Sequence, residues 1–401
     1  MMLTLFALVS VLGTPIANMT VGPQASQHTP IIDVVMVGPG NSFYTAFGHT
    51  AVLIRPTSKT PVMKGDLYNF GVTALGDSDF MLKFLGGRAI FWGNIRPYAK
   101  QIKRWRRADR SVTRYRLQVT PDIARKVQAR FRSMIQPKTR EFVYDLFRQN
   151  CVTKVRDVIN EFSDGLLEKS WRKEAVQMGT RQLAEIGYSN HPGAYFAFQW
   201  FPGRSLDVPT TAWFRSGEPS FFQHKLPSLS RPDGSKVVGP PVFDYRRTGA
   251  PPVGNPIYWF PISHTALIIL LLGLAFFSRP KSNKLRSISV ALGALLTGGY
   301  GCILLGVHLW TDWVEMKNNT LLLLAWPFDL VLLAPAVGLW RSSNGLKSWV
   351  QPYVQVHVVL SALLLASGLM IDALTGPVFP RLVLLSGWVF LARVIRTRHP
   401  I

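Results

Sequence analysis

The segment from Ile257 to Ile401 constrains the fold most, because five long apolar runs follow one another in it. An apolar run of about 17–25 residues is long enough to cross a bilayer as a helix. The five runs are Ile257–Ser278, Ser287–Trp310, Leu321–Trp340, Val354–Leu374 and Arg381–Val394. They predict that residues 257–401 form an all-α transmembrane bundle of about five helices.

The charges between these runs predict the orientation of the bundle. Lys and Arg predominate after the first, third and fifth runs, whereas Asp and Glu predominate after the second and fourth. Because cytoplasmic loops are enriched in basic residues, the residues before Ile257 are expected on the outer side of the membrane. Leu3–Leu12 is an apolar stretch of signal-peptide length, so residues 1–25 are predicted to be a signal peptide or an N-terminal anchor.

Residues 28–226 are predicted to form one exported α+β domain. Its strand-like segments are Ile31–Val37, Thr50–Ile54, Leu67–Phe70, Ala89–Trp92 and Arg114–Val119. One helix is expected to begin at Pro121, after the N-cap Thr120, and another to run from about Asn150 to Phe162. Residues 227–256 are rich in Pro and Gly and are predicted to be a juxtamembrane linker.

The chain carries a formal net charge of +23. The residues before Pro256 account for most of it, with 34 Lys and Arg against 18 Asp and Glu. Such a basic domain suits either nucleic acid or anionic lipid headgroups. The sequence contains no interleaved basic and aromatic motif typical of nucleic-acid binding, so the expected partner is the lipid bilayer and not nucleic acid.

Cys151 is the lone thiol of the exported domain, because Cys302 lies within the second apolar run. Asn150 is suited to cap a helix that begins at Cys151, and a thiol at a helix N-terminus has a lowered pKa. A free thiol in an oxidising compartment is either buried or used. Cys151 is therefore a candidate nucleophile, and a small buried side chain is the alternative.

A nucleophilic cysteine needs a base, and His49 is the best placed of the four histidines in this domain. It follows Gly48 at the start of an apolar strand. A purely structural histidine would give the same pattern. The other three histidines, which lie in polar or loop-like segments, are His28, His191 and His224.

Several short blocks of this domain resemble successive motifs of one family. The blocks are Val37-Gly38-Pro39-Gly40, Phe47-Gly48-His49-Thr50, Tyr68-Asn69-Phe70-Gly71, Tyr144-Asp145, and Asn150-Cys151-Val152-Thr153 with Arg156-Asp157. Over residues 30–165 they resemble the Lnb N-terminal periplasmic domain of bacterial lipoprotein N-acyltransferases. The resemblance implies a permuted papain-like fold, with a histidine on a strand and a later cysteine at a helix start. Family members also carry several C-terminal spans.

The resemblance further implies an activity and a location. The expected reaction moves an acyl chain from a membrane phospholipid to Cys151 as a thioester, and then to the α-amine of a diacylglyceryl-cysteine lipoprotein. His49 would handle the protons. The expected location is the bacterial inner membrane, with the catalytic domain on the periplasmic side.

Other residues are expected to assist His49 and Cys151. Asn69 is expected to orient His49 if the second and third strands pair, and Tyr68 is expected to do so if the register slips by one residue. The backbone N–H of Cys151 is the expected oxyanion donor, and Asn150 the expected cap. Side chains that are candidates for lipid contact are Arg104, Trp105, Arg106, Tyr195, Phe198 and Trp200. A solvated basic face and ordinary aromatic packing are the alternatives for these six.

Two other functions remain open on the sequence. One is a papain-like membrane-bound hydrolase, either a lipid deacylase or a cell-wall peptidase, and the other is a non-catalytic membrane-anchored binding module. Five spans favour a lipid substrate over a peptide. The sequence has no Cys and His cluster at metal-ligand spacing and no phosphate loop or dinucleotide motif, so no metal and no cofactor are expected. Four polar residues inside the runs are expected to face either the bundle or the domain above it, namely His264, His308, Asp329 and His357.

Overall fold

The protein is described by a computed structural model that covers residues 28–252, 259–277, 282–341, 347–370 and 377–396. The predicted signal peptide or anchor at residues 1–25 lies outside the described residues.

A seven-stranded antiparallel sheet organises residues 28–252. Its strand order is β6-β4-β3-β2-β1-β5-β9, and β7 and β8 form a separate pair. The strands are β1 Ile31–Val37, β2 His49–Arg55, β3 Asp66–Val72, β4 Ile90–Pro97, β5 Val112–Leu117, β6 Glu141–Val143, β7 Ala175–Val176, β8 Thr210–Thr211 and β9 Val238–Tyr245. The α+β class and the five predicted strands are confirmed.

Nine helices are described in the same region. They are α1 Phe80–Leu85, α2 Tyr98–Arg107, α3 Pro121–Ser133, α4 Cys151–Glu161, α5 Leu166–Trp171, α6 Thr180–Gly187, α7 Pro192–Trp200, α8 Ala212–Arg215 and α9 Pro219–Lys225. Helix α3 begins as predicted, because the Thr120 side chain accepts a hydrogen bond from the Ile123 backbone N–H at 3.4 Å. Helix α4 also lies where the sequence places it.

Both faces of the sheet are buried, which explains why the central strands are continuously apolar. On one face, Val52 and Phe70 pack with α3 and α4. On the other face, Leu53 and Leu67 pack against Trp105 of α2. The site lies at the end of this sheet where β2 begins.

The predicted linker at residues 227–256 is wrong in its central part. Strand β9 pairs with β5 at the edge of the sheet. Arg114 holds it there through its Nε atom, 2.5 Å from Asp244 Oδ2. Pro240 and Pro241 are tolerated because an edge strand leaves one side of its ladder unpaired and because the pairing of β9 with β5 is irregular between Tyr115 and Leu117. The soluble domain therefore extends beyond residue 226.

The C-terminal region is helical. Its helices are α10 Trp259–Phe277, α11 Asn283–Trp310, α12 Leu333–Arg341, α13 Val350–Met370 and α14 Val378–Ile395. Among the described residues, α11, α13 and α14 are long and apolar enough to cross a membrane, whereas the apolar part of α10, Phe260–Ala275, is shorter. Within the described ranges, the predicted five spans thus become three, or four if a bent pair of helices counts as one.

The bent pair replaces the predicted third span, Leu321–Trp340. Val314–Leu323 and Pro327–Arg341 meet at an angle of 41°. Pro327 has no N–H to donate, and the Asp329 carboxylate accepts the Trp326 backbone N–H at 2.9 Å, so the helix ends and restarts here. A proline in an apolar run is the sequence signal of this break.

Three of the four polar residues expected to face the bundle are buried, namely His264, Asp329 and His357. Tyr353 donates to Asp329 Oδ1 at 2.6 Å, and His357 Nε2 lies 3.1 Å from the same oxygen. His308 is half-buried, with its Nδ1 atom 3.2 Å from the Asn318 backbone N–H. These contacts confirm that the polar groups face protein.

Candidate active site

The start of α4 fixes Cys151. Asn150 caps the helix as predicted, because its Oδ1 accepts the backbone N–H groups of Val152 at 2.8 Å and Thr153 at 3.0 Å. The Asn150 Nδ2 group donates to the carbonyls of Leu146 and Gly217. Cys151 is therefore held as the first helical residue, and the backbone N–H groups of Thr50, Val152 and Cys151 itself lie near its thiol.

His49 is the first residue of β2, and its orienting partner is Asn69. The His49 Nε2 atom lies 2.5 Å from Asn69 Oδ1. Asn69 opposes Ala51 across the strands, so its side chain is on the same face as His49. With an amide oxygen facing Nε2, this nitrogen carries the proton and Nδ1 is left to accept one.

The alternative prediction, that Tyr68 orients His49, is wrong. Successive strand residues point to opposite faces, and Tyr68 packs in the core with Phe131, at 6.1 Å between ring centroids. The register of β2 and β3 excludes the one-residue slip that would have exchanged the two.

Two glycines let the histidine and the cysteine approach each other. Gly48 has φ +91°, a conformation that favours glycine, and turns the chain into β2 directly before His49. A Cβ atom at Gly71 would lie 3.8 Å from His49 Cε1 and 3.9 Å from Cys151 Cβ. The two side chains thus flank one point at the end of β3, although they come from opposite faces of the sheet.

Burial keeps both groups neutral. Burial raises the pKa of the Cys151 thiol, even though nearby backbone N–H groups and the Arg110 cation oppose the shift. The expected lowering of this pKa by the helix N-terminus is therefore wrong in its net direction. Burial, together with Arg110, lowers the pKa of His49 from 6.5 to about 4. The resting pair is a thiol beside a neutral imidazole.

Arg110 is a site residue that the sequence did not reveal. It is 6% exposed, and its Nε donates to the Gly38 carbonyl at 2.9 Å. Its Nη2 atom has no hydrogen-bond partner within the described part of the chain. Because Arg110 precedes β5 and is remote from Cys151 in sequence, only the strand order brings its charge near the thiol. Its one sequence signal is a basic residue next to a predicted strand.

A cavity of about 200 Å³ opens at the thiol, and Cys151 and His49 both line it. Most of its wall is aromatic or aliphatic, formed by Phe43, Tyr44, Phe47, Phe84, Phe91, Tyr144, Leu146, Phe147, Leu183, Tyr188, Phe198 and Phe214. The lining also contains one basic side chain, Arg215, and one acidic side chain, Glu218. Such a wall suits an acyl chain. Among the described residues, no group of three or more His, Cys, Asp or Glu could hold a metal ion.

Helix α2 does not offer all of its predicted lipid contacts. Trp105 is only 4% exposed and packs on the sheet, with its ring 6.4 Å from that of His49. The prediction that Trp105 contacts lipid is therefore wrong. Trp105 lies on the apolar face of the amphipathic helix α2, and this face packs on the sheet. Arg104 is exposed, and Arg106 donates to the Asp244 carbonyl at 2.8 Å.

The predicted aromatic contacts lie on α7, which joins the two halves of the molecule. The Tyr195 ring packs on Phe260 of α10 at 5.0 Å. The Trp200 Nε1 atom lies 3.3 Å from His264 Nε2. Phe198 lines the cavity. Two of the three aromatics therefore contact the helical region, and one lines the cavity.

The segment after α11 supports the cavity from the other side. Trp313 packs on two cavity-lining rings, Phe84 at 5.8 Å and Phe147 at 6.3 Å. Its Nε1 donates to the Phe84 carbonyl at 2.9 Å. Arg148 pairs with Glu315 of the same segment. The helical region therefore forms part of the support of the site.

The comparison with known families now adds a finding. Residues 25–184 match the family model of the Lnb N-terminal periplasmic domain. This Lnb-like region runs from β1 into α6 and includes His49, Asn69 and Cys151. No curated protein and no solved structure matches the chain. After the matched region, the described residues contain three helices long and apolar enough to cross a membrane, or four if the bent pair counts as one.

Proposed function

We propose that this protein is a lipoprotein N-acyltransferase of the inner membrane. It takes an acyl chain from a phospholipid, holds it as a thioester on Cys151 and passes it to the α-amine of a diacylglyceryl-cysteine lipoprotein. One observation carries the proposal: a cysteine at a helix start and a histidine held by Asn69 share one apolar cavity within the Lnb-like region.

The first half-reaction begins with a neutral pair. His49 Nδ1 accepts the thiol proton as Cys151 Sγ attacks the ester carbonyl carbon of the phospholipid. The backbone N–H of Cys151 donates to the developing oxyanion, a contribution of about 3–4 kcal/mol in comparable sites. The C–O bond then breaks, and His49 returns the proton to the oxygen of the departing lysophospholipid.

The second half-reaction reverses these roles. The α-amine attacks the thioester carbonyl, and His49 accepts a proton from the attacking nitrogen. The C–S bond breaks, the proton passes to the Cys151 thiolate, and the product is an amide. A neutral imidazole with a pKa of about 4 can accept this proton at any pH at which the amine is nucleophilic.

The surroundings of the cavity favour a lipid donor over a cell-wall peptide. Tyr44 and Leu75 line the cavity and are each about half exposed, which places them at its mouth. Leu82 of α1 is 62% exposed. Gly86, which directly follows α1, lies against Trp310 at the end of α11. An apolar mouth next to a candidate membrane span suits a substrate that arrives from the bilayer.

The test uses the full chain in bilayer discs of a single phospholipid. We expect Cys302→Ser to gain the mass of one acyl chain and then lose it to a diacylated lipopeptide. Cys151→Ser should neither load nor transfer. Lipoproteins that remain N-acylated in cells whose only copy is Cys151→Ser, as read by mass spectrometry of their N-termini, would contradict the proposal.

The same assay separates the two alternative functions. A lipid deacylase releases free fatty acid and never acylates the amine, so the lipopeptide mass stays unchanged while lysophospholipid accumulates. A cell-wall peptidase leaves the phospholipid intact and cleaves a peptide instead. A binding module gives no adduct on Cys151 with any donor.

A further inference from the structure

Arg215, the last residue of α8, lines the same cavity as Cys151 and His49. Its side chain is 5% exposed. Its Nε and Nη1 atoms have no hydrogen-bond partner in the described ranges, and its Nη2 reaches only the Met178 sulfur at 3.9 Å. A buried guanidinium is therefore left with most of its donors unused.

The neighbouring carboxylate does not satisfy this cation. Glu218 accepts the backbone N–H groups of Ser220 at 2.8 Å and Phe221 at 2.6 Å, so its oxygens cap the start of α9. Burial also raises the pKa of Glu218, which weakens its negative charge. Buried cations are normally paired, and a guanidinium fork fits the oxygens of a phosphate or carboxylate.

The segment that carries Arg215 is built into the site. Asn150, the cap of the nucleophile's helix, donates to the Gly217 carbonyl at 2.9 Å. On the other side, a Cβ atom at Gly48 would lie 3.3 Å from Pro219 Cβ. A ligand group held by Arg215 is thus held in the cavity that His49 and Cys151 also line.

We propose that Arg215 binds the phosphate of the glycerophospholipid acyl donor. The proposal rests on the proposed function and adds how the donor is selected. The aromatic wall takes the acyl chain, and the guanidinium takes the phosphodiester oxygens, so the ester between them is placed at the thiol. Diacylglycerol carries the same esters without the phosphate and is therefore a poorer donor.

A lipid-binding measurement tests this role of Arg215 in the absence of acyl transfer. The full-length Cys151→Ala protein in neutral detergent is titrated with phosphatidylglycerol or with diacylglycerol of the same acyl chains. We expect Arg215→Met to weaken phosphatidylglycerol binding about tenfold or more and to leave diacylglycerol binding within about twofold. Arg172→Met is the matched control, because Arg172 is an exposed arginine outside the cavity lining, and it should change neither affinity.

Three results overturn the proposal. They are equal weakening for both lipids, no weakening for either, and competition by inorganic phosphate at the same concentration as phosphatidylglycerol, which would indicate a free-phosphate site instead of a lipid site. A structural arginine would lower Tm when replaced. Arg215 has Glu218 and the Phe221 ring nearby but leaves its Nε and Nη1 donors unbonded among the described residues, so its removal should leave Tm unchanged or raise it. If Arg215→Met does not fold, Arg215→Lys keeps the charge, loses the fork and should weaken only phosphatidylglycerol, by several-fold.

Acylation of Cys151 distinguishes this proposal from the function it rests on. Loading of Cys151 from phosphatidylglycerol at an unchanged rate in Arg215→Met overturns the role of Arg215 and leaves the acyltransferase intact. Binding that depends on Arg215, in a protein that never loads Cys151, supports the phosphate site and overturns the acyltransferase.

Discussion

The histidine, the cysteine and two nearby side chains define the chemistry at the residue scale. Many nucleophilic cysteines exist as a thiolate beside a charged imidazole, but burial favours the neutral forms of Cys151 and His49. Proton transfer must then accompany attack instead of preceding it. The orientation of the imidazole is therefore critical, because its Nδ1 atom has to face the thiol at the moment of reaction.

Asn69 should control that orientation. We expect Asn69→Ala to slow Cys151 loading by about tenfold to a hundredfold, because general base catalysis contributes about 10²–10⁴-fold and a rotating ring loses part of it. The adjacent Tyr68→Phe should load at the parent rate, since Tyr68 faces the core. The measurement is single-turnover loading by intact-protein mass spectrometry. A larger effect in Tyr68→Phe than in Asn69→Ala would contradict this arrangement.

Arg110 should set the pH range of the reaction. His49 must be neutral to act as a base, so loading should fall only as the pH drops towards about 4. Arg110→Met removes a cation that lowers the pKa of His49, so this acid limb should move to higher pH. The same change should shift the alkylation of Cys151 by iodoacetamide to higher pH, because Arg110 stabilises the thiolate. A wild-type limb centred at 6.5 would contradict the buried neutral histidine.

Stability provides a control on that pH profile. The pKa of His49 is lower in the fold than in the unfolded chain, so the unfolded chain binds the proton first as the pH falls from 6.5 towards 4. The fold is therefore expected to lose stability over this range. Tm measured at each pH identifies the range in which a loss of activity reflects the base and not unfolding. His49→Gln should have a flatter Tm profile over the same range.

At the scale of elements, local sequence patterns were sufficient to predict the central strands and the start of α4. Apolar runs with turn residues marked β1 and β2, and Asn150 marked the cap before Cys151. Strand β9 was not predictable in this way. Its Pro-rich sequence suits an edge strand only once the Asp244–Arg114 pair shows which edge it covers.

Helix α1 should act as the contact between the cavity mouth and the bilayer. We expect Leu82→Glu to reduce loading from bilayer phospholipid by about tenfold, because a charge at an exposed apolar patch disfavours contact with lipid. Loading from a short-chain, water-soluble ester should stay within about twofold. The matched control is Val242→Glu, since Val242 is 48% exposed on edge strand β9 and does not line the cavity. Equal losses with both donors would show that the helix supports the fold instead.

At the scale of the whole molecule, the residues around the thiol come from distant parts of the chain. Arg110, Arg215 and Trp313 have no local motif, and each reaches the site only through tertiary packing: Arg110 from the segment before β5, Arg215 from α8 and Trp313 from the segment after α11. From their own surroundings, the sequence could single out His49 and Cys151 as candidate site residues. It could not predict their net electrostatics, because burial depends on residues far away in sequence.

The junction between the two halves contains one buried carboxylate. Glu315 is 3% exposed and pairs with Arg148, which is 46% exposed. Its Oε2 atom has no partner among the residues described. Arg148 follows Phe147, which lines the cavity and packs on Trp313. The ion pair thus connects the segment after α11 to the wall of the cavity.

The burial difference predicts an asymmetric response to mutation. Arg148→Met leaves Glu315 buried without its cation and should destabilise the protein by about 1–2 kcal/mol, less than a fully buried pair because Arg148 is half exposed. Glu315→Gln leaves Arg148 free to reach water and should have a smaller effect. The double variant should resemble Glu315→Gln, because no charge remains buried. Tm of the full chain in detergent measures all three. If the two single effects simply add in the double variant, Arg148 and Glu315 act independently and the ion pair does not couple the halves.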